Sequence, residues 1–317
     1  MTVSQTTFLR VLTLAASLLA TSHAWGGPLE GLLGRGQNQS IKLSVDGRNR
    51  NYILHTPAAA PSGAMPLIVM LHGGHGSDGN AQRSFGFDAY ADARGFAVAY
   101  GDGYRASWAD GRGTTPAEEA GVDDKKFLSA LVADAASRLA IDPARVYLAG
   151  MSNGGIMTYR MACETSGPFR GYAMVAASIA EPIAPSCAPR PGLPVLTING
   201  VEDSLVPETG GDCCGGGPIL GQGGRVVSFD TSAEILRTAA GCTDTPVIEQ
   251  LPPAVADGTS VQKRSYHCAG SARLVVYRVN GMGHSWPPRS PRLPGSGAPS
   301  SNIDATAQIV EFFLGRP

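Results

Sequence analysis

The chain has 317 residues, 43% of them hydrophobic, with 25 Lys and Arg against 26 Asp and Glu and a formal charge of -1. That is enough apolar material for one large α/β domain with a well-buried core. The near-neutral charge, with no basic stripe interleaved with aromatic residues, argues against a nucleic-acid partner.

Taken in chain order, the first feature is an export signal at residues 1–24. Arg10 supplies a positive charge, Val11 to Ala20 forms an apolar core too short to span a bilayer, and Ser22-His23-Ala24 ends in the small-x-small cleavage pattern. The mature chain is expected to begin near Trp25, to be secreted (periplasmic or extracellular), and to form a single catalytic domain over residues 25–317 with no lipid anchor or membrane span. Ser40 to Val45 and Arg48 to His55 alternate polar and apolar residues about Asp46-Gly47, the pattern of a β-hairpin. Pro57 to Ala64 reads as a surface loop, Leu67 to Leu71 as a strand buried on both faces, Phe87 to Arg94 as a helix stopped by Gly95, and Ala97 to Tyr100 as the next strand. Phe127, Leu128, Leu131, Val132 and Ala135 repeat at helical spacing within Asp123 to Leu139. Asp142-Pro143 reads as the cap and first-turn proline of a short turn before Val146. Further strands are expected at Tyr172 to Ala176 and Val195 to Asn199, and the last at Leu274 to Val279. Further helices are expected at Ser232 to Ala240, opened by a Thr231-x-x-Glu234 capping box, and at Ile303 to Leu314. The Gly- and Pro-rich stretches Gly210 to Gly224 and Pro287 to Pro299 read as loops. An antiparallel start followed by repeated β-α units implies a mostly parallel sheet with helices on both faces.

Gly150-Met151-Ser152-Asn153-Gly154 stands between the strand-like Val146-Tyr147-Leu148-Ala149 and a proline-free, helix-like run from Gly154 to Glu164. This is the pattern of a nucleophile elbow, a tight turn that exposes the serine hydroxyl. The plainer reading is a serine N-cap on a Gly-rich turn. A serine nucleophile needs a base. Of the six histidines, His23 lies in the signal, His55, His72 and His75 precede the serine, and His267 adjoins Cys268. His284, in the loop Gly281 to Trp286, is therefore the candidate base. Asp203 follows the Val195 to Asn199 strand to the same sheet edge and is the preferred carboxylate to orient it, ahead of Glu202, Asp212 and Asp230. The oxyanion donors are expected to be the backbone amides of Asn153 and of Gly74, with His75 as the alternative to Gly74. Trp108 and Trp286 are candidate walls of the substrate site, core packing being the other role open to Trp108. The run Leu71-His72-Gly73-Gly74-His75-Gly76 lacks the Gly-Lys-Ser/Thr ending of a phosphate cradle.

All six cysteines lie beyond the signal and read as disulfides, since the paired spacings of a zinc site are missing. The preferred pairs are Cys242 with Cys268 and Cys163 with Cys187. Cys213 and Cys214 are left to bridge each other or to stay reduced.

Leu71-His72-Gly73-Gly74, Trp108, Gly121-Val122-Asp123-Asp124, Asp142-Pro143-Ala144-Arg145-Val146-Tyr147, Gly150 to Gly155, Gly200-x-x-Asp203-x-x-Val206-Pro207 and Gly283-His284-Ser285-Trp286 together resemble the polyhydroxybutyrate depolymerase and feruloyl/acetylxylan esterase group of exported α/β-hydrolases. The resemblance runs from about Ile41 to Leu314. It implies an α/β-hydrolase fold, a Ser152, Asp203, His284 triad, and neither metal nor cofactor; Cys242 and Cys268 sit where such proteins often carry a bridge. Gly210 to Gly215 departs from the group. No Thr-rich linker or surface-binding domain follows the catalytic unit, which weakens an expectation of action on insoluble granules. The expected activity is serine-dependent hydrolysis of carboxylic esters, of hydroxybutyrate or of feruloyl or acetyl groups on plant polysaccharide. The rival readings are a secreted serine peptidase with the same triad and an exported binding protein that keeps the fold without catalysis.

Overall fold

Asp46 and Gly47 both take positive φ, 51° and 73°, the conformation of a two-residue hairpin turn that matches the twist of its strands. They join β1 (Gln37–Val45) to β2 (Arg48–Thr56), with Val45 opposite Arg48. This computed structural model describes residues 35–164, 167–215, 223–243, 245–269, 273–288 and 296–316, all within one compact unit, Leu33–Pro317. The expected export signal lies outside the described residues.

The remaining elements follow as β3 (Met65–Leu71), α1 (Asp78–Phe85), α2 (Phe87–Arg94), β4 (Ala97–Gly101), α3 (Pro116–Glu119), α4 (Asp124–Arg138), β5 (Ile141–Met151), α5 (Asn153–Cys163), β6 (Tyr172–Val175), β7 (Val195–Gly200), β8 (Gly211–Asp212), β9 (Arg225–Val226), α6 (Phe229–Ala239), β10 (Val247–Leu251), β11 (Ser260–His267), β12 (Arg273–Asn280) and α7 (Ala305–Leu314). Among the described residues the main sheet runs β1-β2-β4-β3-β5-β6-β7-β12-β11-β10. Its centre, from β4 to β12, is parallel, and both flanks are antiparallel. β3 is buried at every position. Leu67, Val69 and Leu71 enter one apolar layer with Phe127 and Leu131 of α4, Ile156 of α5 and Leu236 of α6. Ile68 and Met70 enter the other with Phe85 of α1, Phe87 of α2 and Ile309 of α7. Alternation along a strand thus feeds two cores, which is why β3 reads as an unbroken hydrophobic run.

Several boundaries differ from the sequence expectation. Asp142-Pro143 lies inside β5, whose first residues pair with the start of β3, so no separate turn precedes Val146. The helix expected from Ser232 begins at Phe229. Ser228, and not Thr231, is its N-cap, accepting from the Thr231 N–H at 3.0 Å. β10 and β11 were not anticipated. Val247 to Gln250 are exposed and most of β11 is half-exposed, so neither strand carries the clean alternation that marks one buried face. α1 also escaped notice, because only Ala81 and Phe85 of its residues are buried.

Cys163 bridges Cys187 and Cys242 bridges Cys268, as expected. Each closes a loop of similar length, 24 and 26 residues of separation, worth about 3 kcal/mol through the entropy of the unfolded chain. Cys213 and Cys214 are not bridged to either pair.

Candidate active site

The sharp turn after β5 follows from close packing. A Cβ on Gly150 would come within 2.2 Å of the Gly154 carbonyl oxygen, and one on Gly154 within 2.4 Å of that of His72. Only glycine fits at either place, so the chain passes directly from the central strand into α5. Ser152, between them, has φ 54° and ψ −124°, a conformation that non-glycine residues occupy only when their surroundings impose it. The surroundings here are backbone hydrogen bonds: the Ser152 N–H donates to Val175 O at 3.0 Å, and its carbonyl accepts from Ile156 N at 2.8 Å. Its side chain does not cap α5. The plain N-cap reading therefore fails, and the half-buried hydroxyl makes no hydrogen bond among the described residues.

Asp203 and His284 follow neighbouring parallel strands. β7 and β12 pair through Gly200 and Val279, and beyond them Val201 N–H donates to Val279 O (3.0 Å) and Glu202 N–H to Met282 O (3.1 Å). This continued pairing brings the two loops together. His284 Nδ1 lies 2.8 Å from Asp203 Oδ2, while Asp203 Oδ1 accepts from the Leu205 and Val206 N–H groups at 2.9 and 2.8 Å. The carboxylate is thus fixed at both oxygens, and both side chains are buried. The His284 N–H donates to Ser296 O at 2.6 Å, which anchors the loop from its far side. The rival carboxylates point elsewhere. Glu202 is exposed, Asp212 pairs with Arg225 and Asp230 with Arg264.

The loop after β3 passes over the serine, since a Cβ on Gly73 would lie 3.3 Å from Ser152 Cβ. The backbone N–H groups of Gly74 and Asn153 meet no acceptor among the described residues. His75 is different: its N–H donates to Ala106 O at 2.9 Å, which removes it as an alternative donor. His72 braces this loop. Its Nδ1 faces Gly73 O at 2.7 Å, and its Nε2 accepts from Gly103 N–H at 2.9 Å, a pattern that needs the neutral Nδ1–H tautomer. Burial lowers its pKa to about 4, in keeping with that form.

Both tryptophans are fully buried, which corrects the expectation of a substrate wall at Trp286 and favours the core-packing role at Trp108. Trp108 Nε1 donates to His72 O at 2.9 Å, and its ring stacks at 6.3 Å on Phe127. Trp286 Nε1 donates to Thr306 Oγ1 at 3.0 Å beneath Phe85. Neither presents a face to a substrate in this structure. They prop the loops that carry the site.

Sequence reasoning missed the residues that hold Asn153. Its Oδ1 accepts from Trp108 N–H at 2.8 Å, and its Nδ2 donates to Trp108 O at 3.1 Å and to Asp110 Oδ2 at 2.6 Å. Asp110 in turn binds Arg112 through Nε and Nη2, with both side chains wholly buried. Burial works against the Arg112 charge, but the attraction of Asp110 outweighs it and the guanidinium stays ionised. The available signal was a pair of opposite charges, Asp110 and Arg112, in an otherwise uncharged stretch beside Trp108. The motif Val122-Asp123-Asp124 has a similar structural use. Asp123 caps α4, and buried Asp124 accepts from Arg50 (2.6 Å) and from Ala109 N–H (2.7 Å).

The family model described as "Esterase PHB depolymerase" matches residues 50–181, a span that includes the elbow and Asp110. A putative esterase from Nocardia uniformis subsp. tsuyamanensis is 33% identical over 289 residues, which cover 86% of this chain and 82% of that protein. The chain belongs to the PHB depolymerase family of esterases. It is therefore a carboxylic ester hydrolase, and its sheet is that of an α/β-hydrolase. Other relatives share less of their sequence with it. Feruloyl esterase C of Emericella nidulans is 26% identical, with 83% of this chain and 90% of that protein covered. A poly(3-hydroxybutyrate) depolymerase from Ralstonia pickettii is also 26% identical, but the match spans 56% of its length. The chain likewise spans 40% of feruloyl esterase B from Piromyces equi. Among solved structures, an acetyl xylan esterase from Aspergillus awamori superposes with a TM-score of 0.59 at 14% identity, over 89% of this chain and all of that one.

Proposed function

We propose that this esterase works through an acyl-enzyme on Ser152, with His284 as general base and Asp203 as its orienting carboxylate. The 2.8 Å contact between His284 and Asp203, at the sheet edge where the uncapped Ser152 hydroxyl also stands, is the observation that carries the reading. In the first half-reaction His284 Nε2 takes the Ser152 proton as Oγ bonds to the ester carbonyl carbon. Asp203 steadies the imidazolium, and the same proton passes to the departing alcohol as the C–O bond breaks. The Asn153 and Gly74 amides receive the oxyanion. Water, deprotonated by His284, then attacks the acyl carbon, and the imidazolium returns that proton to Ser152 Oγ as the C–Oγ bond breaks and the acid leaves.

The substrate class is drawn from the relatives, as esters of hydroxybutyrate or feruloyl or acetyl esters of plant polysaccharide. Secretion is supported by the two disulfides and by the signal pattern at residues 1–24. The test is Ser152→Ala with p-nitrophenyl acetate: kcat is expected to fall by about 10⁶-fold, by analogy with other serine hydrolases, and fluorophosphonate labelling to vanish. Retention of most activity by a folded variant would overturn the assignment. Hydroxybutyrate oligomers, feruloyl esters and acetylated xylan assayed side by side separate the substrate classes.

A further inference from the structure

Cys213 and Cys214 stand outside the two bridges, yet their sulfur atoms are 2.6 Å apart. That is far inside the contact of two unbonded sulfurs and only about 0.5 Å beyond the covalent S–S length. Backbone contacts hold the pair in this position. The Cys213 N–H donates to Gly224 O at 3.0 Å and the Cys214 N–H to Leu205 O at 2.5 Å, and Leu205 is itself bound to Asp203 Oδ1. On the other side, Arg112 Nη1 lies 3.5 Å from Cys213 Sγ and donates to Gly223 O at 2.6 Å. The cysteines therefore sit between the loop that carries Asp203 and the buried chain Arg112–Asp110–Asn153 that ends beside Ser152.

We propose that Cys213 and Cys214 form a disulfide between chain neighbours, and that this bridge positions Arg112 and, through Asp110, the Asn153 that follows the nucleophile. The effect on catalysis rests on the serine-esterase reading above, whereas the bridge itself does not. The chemistry needs an external oxidant, an organic disulfide such as oxidised glutathione. Cys214, the half-buried sulfur, meets the oxidant: after giving its proton to solvent it attacks one sulfur and expels one thiolate. Cys213, whose thiolate the adjacent Cys214 and then Arg112 favour against the cost of burial, attacks the Cys214 sulfur and expels the second. Two cysteine thiols are oxidised and one external disulfide is reduced to two thiols. A bridge between neighbours closes the smallest ring that two cysteines can make, and strained or exposed bridges are the labile ones. Cys214 is half-buried and reachable, while Cys213 is buried against Arg112. Reduction returns the sulfurs to unbonded contact, and any shift of Cys213 Sγ is passed to the guanidinium 3.5 Å away.

The wild-type chain is denatured in iodoacetamide without reductant, digested, and the peptide holding Cys213 and Cys214 weighed. The expected product is unalkylated and two hydrogens lighter than the dithiol, and it takes two labels only after reduction. Two labels without reduction, or a link from either residue to another cysteine, overturns the bridge. In the second arm, wild type and Cys213→Ser/Cys214→Ser are assayed with and without a mild phosphine. Reduced wild type and the double variant are expected to share a severalfold lower kcat at unchanged KM, with no further response of the variant to phosphine. Equal kcat in all four samples overturns the positioning role. Should the double variant misfold, as near-UV circular dichroism would reveal, the wild-type comparison decides. If wild type cleaves no ester at all, the esterase mechanism fails and the peptide masses still decide the bridge.

Discussion

Asp203, His284 and Ser152 are held by backbone, and Asn153 by buried side chains. Asp203 and His284 stand on loops that prolong the β7–β12 pairing, with main-chain hydrogen bonds at Val201, Glu202 and His284 closing the arrangement, and Ser152 is fixed by its main-chain bonds to Val175 and Ile156. Asn153 leans on Trp108, Asp110 and Arg112, all contributed by the irregular chain between β4 and α4. A backbone-built half tolerates changes in side-chain identity except at the reacting groups. A half built from buried polar side chains has no such tolerance, because every donor or acceptor left without its partner costs about 1–3 kcal/mol, and more if charged.

Substitutions test that contrast in order of expected effect. Asp203→Asn keeps an oxygen for the Leu205 and Val206 amides but faces His284 with a donor, so kcat should fall about 10⁴-fold with little change in Tm. A loss below tenfold would mean that the carboxylate does not orient the base. Asn153→Ala keeps the backbone donor and removes what fixes it. A decrease in kcat on the order of 10²-fold is expected, the loss seen when one oxyanion donor is misplaced, and unchanged kcat would break the link between this side chain and catalysis. Asp110→Ala strands the Arg112 charge in the core, with an expected loss of about 3–5 kcal/mol in denaturant unfolding. Glu202→Ala, on the exposed surface of the other half, should change stability by no more than about 0.5 kcal/mol. Similar losses for the two would remove the distinction between the halves.

A smaller effect follows from His72. Its pKa is lowered to about 4 in the folded chain, mainly by burial, against an ordinary value of 6.5. Above pH 6.5 neither state binds the proton and the full stability is present. As pH falls from 6.5 toward 4 the unfolded chain takes up a proton that the folded chain does not, so up to ~3 kcal/mol of stability is lost. NMR at pH 5.5 should find a neutral Nδ1–H imidazole in the folded protein. A charged ring there would contradict the brace described above.

The sequence made the backbone-built half easier to read. His284 emerged by elimination among six histidines, and Asp203 from its distance past a strand, because chain order at a parallel sheet edge is a linear property. Gly150 and Gly154 were legible for a related reason: close approach of main chain excludes every other residue, so the motif is the geometry. Trp286 misled and Trp108 stayed open between two roles, since a large aromatic beside a site loop looks the same in a sequence whether it faces substrate or lies under the loop. Asp110 and Arg112 were overlooked because their meaning depends on Asn153, some forty residues away, and on burial that no local pattern encodes. β10 and β11 failed to register because the sheet flank they form is half open to solvent, which blurs the alternation that sequence reading depends on.

The position of Ser152 in the sheet also sets how the protein can open. β5 lies between β3 and β6, near the middle of the strand order, and the Ser152 amide is locked onto Val175. No edge of the sheet can peel away and release that proton, so its exchange with solvent deuterium should run at the rate of whole-domain unfolding, while amides of the exposed β10 edge exchange through small local openings. The Ser152 amide is thus a clock for global stability, readable in the folded protein itself.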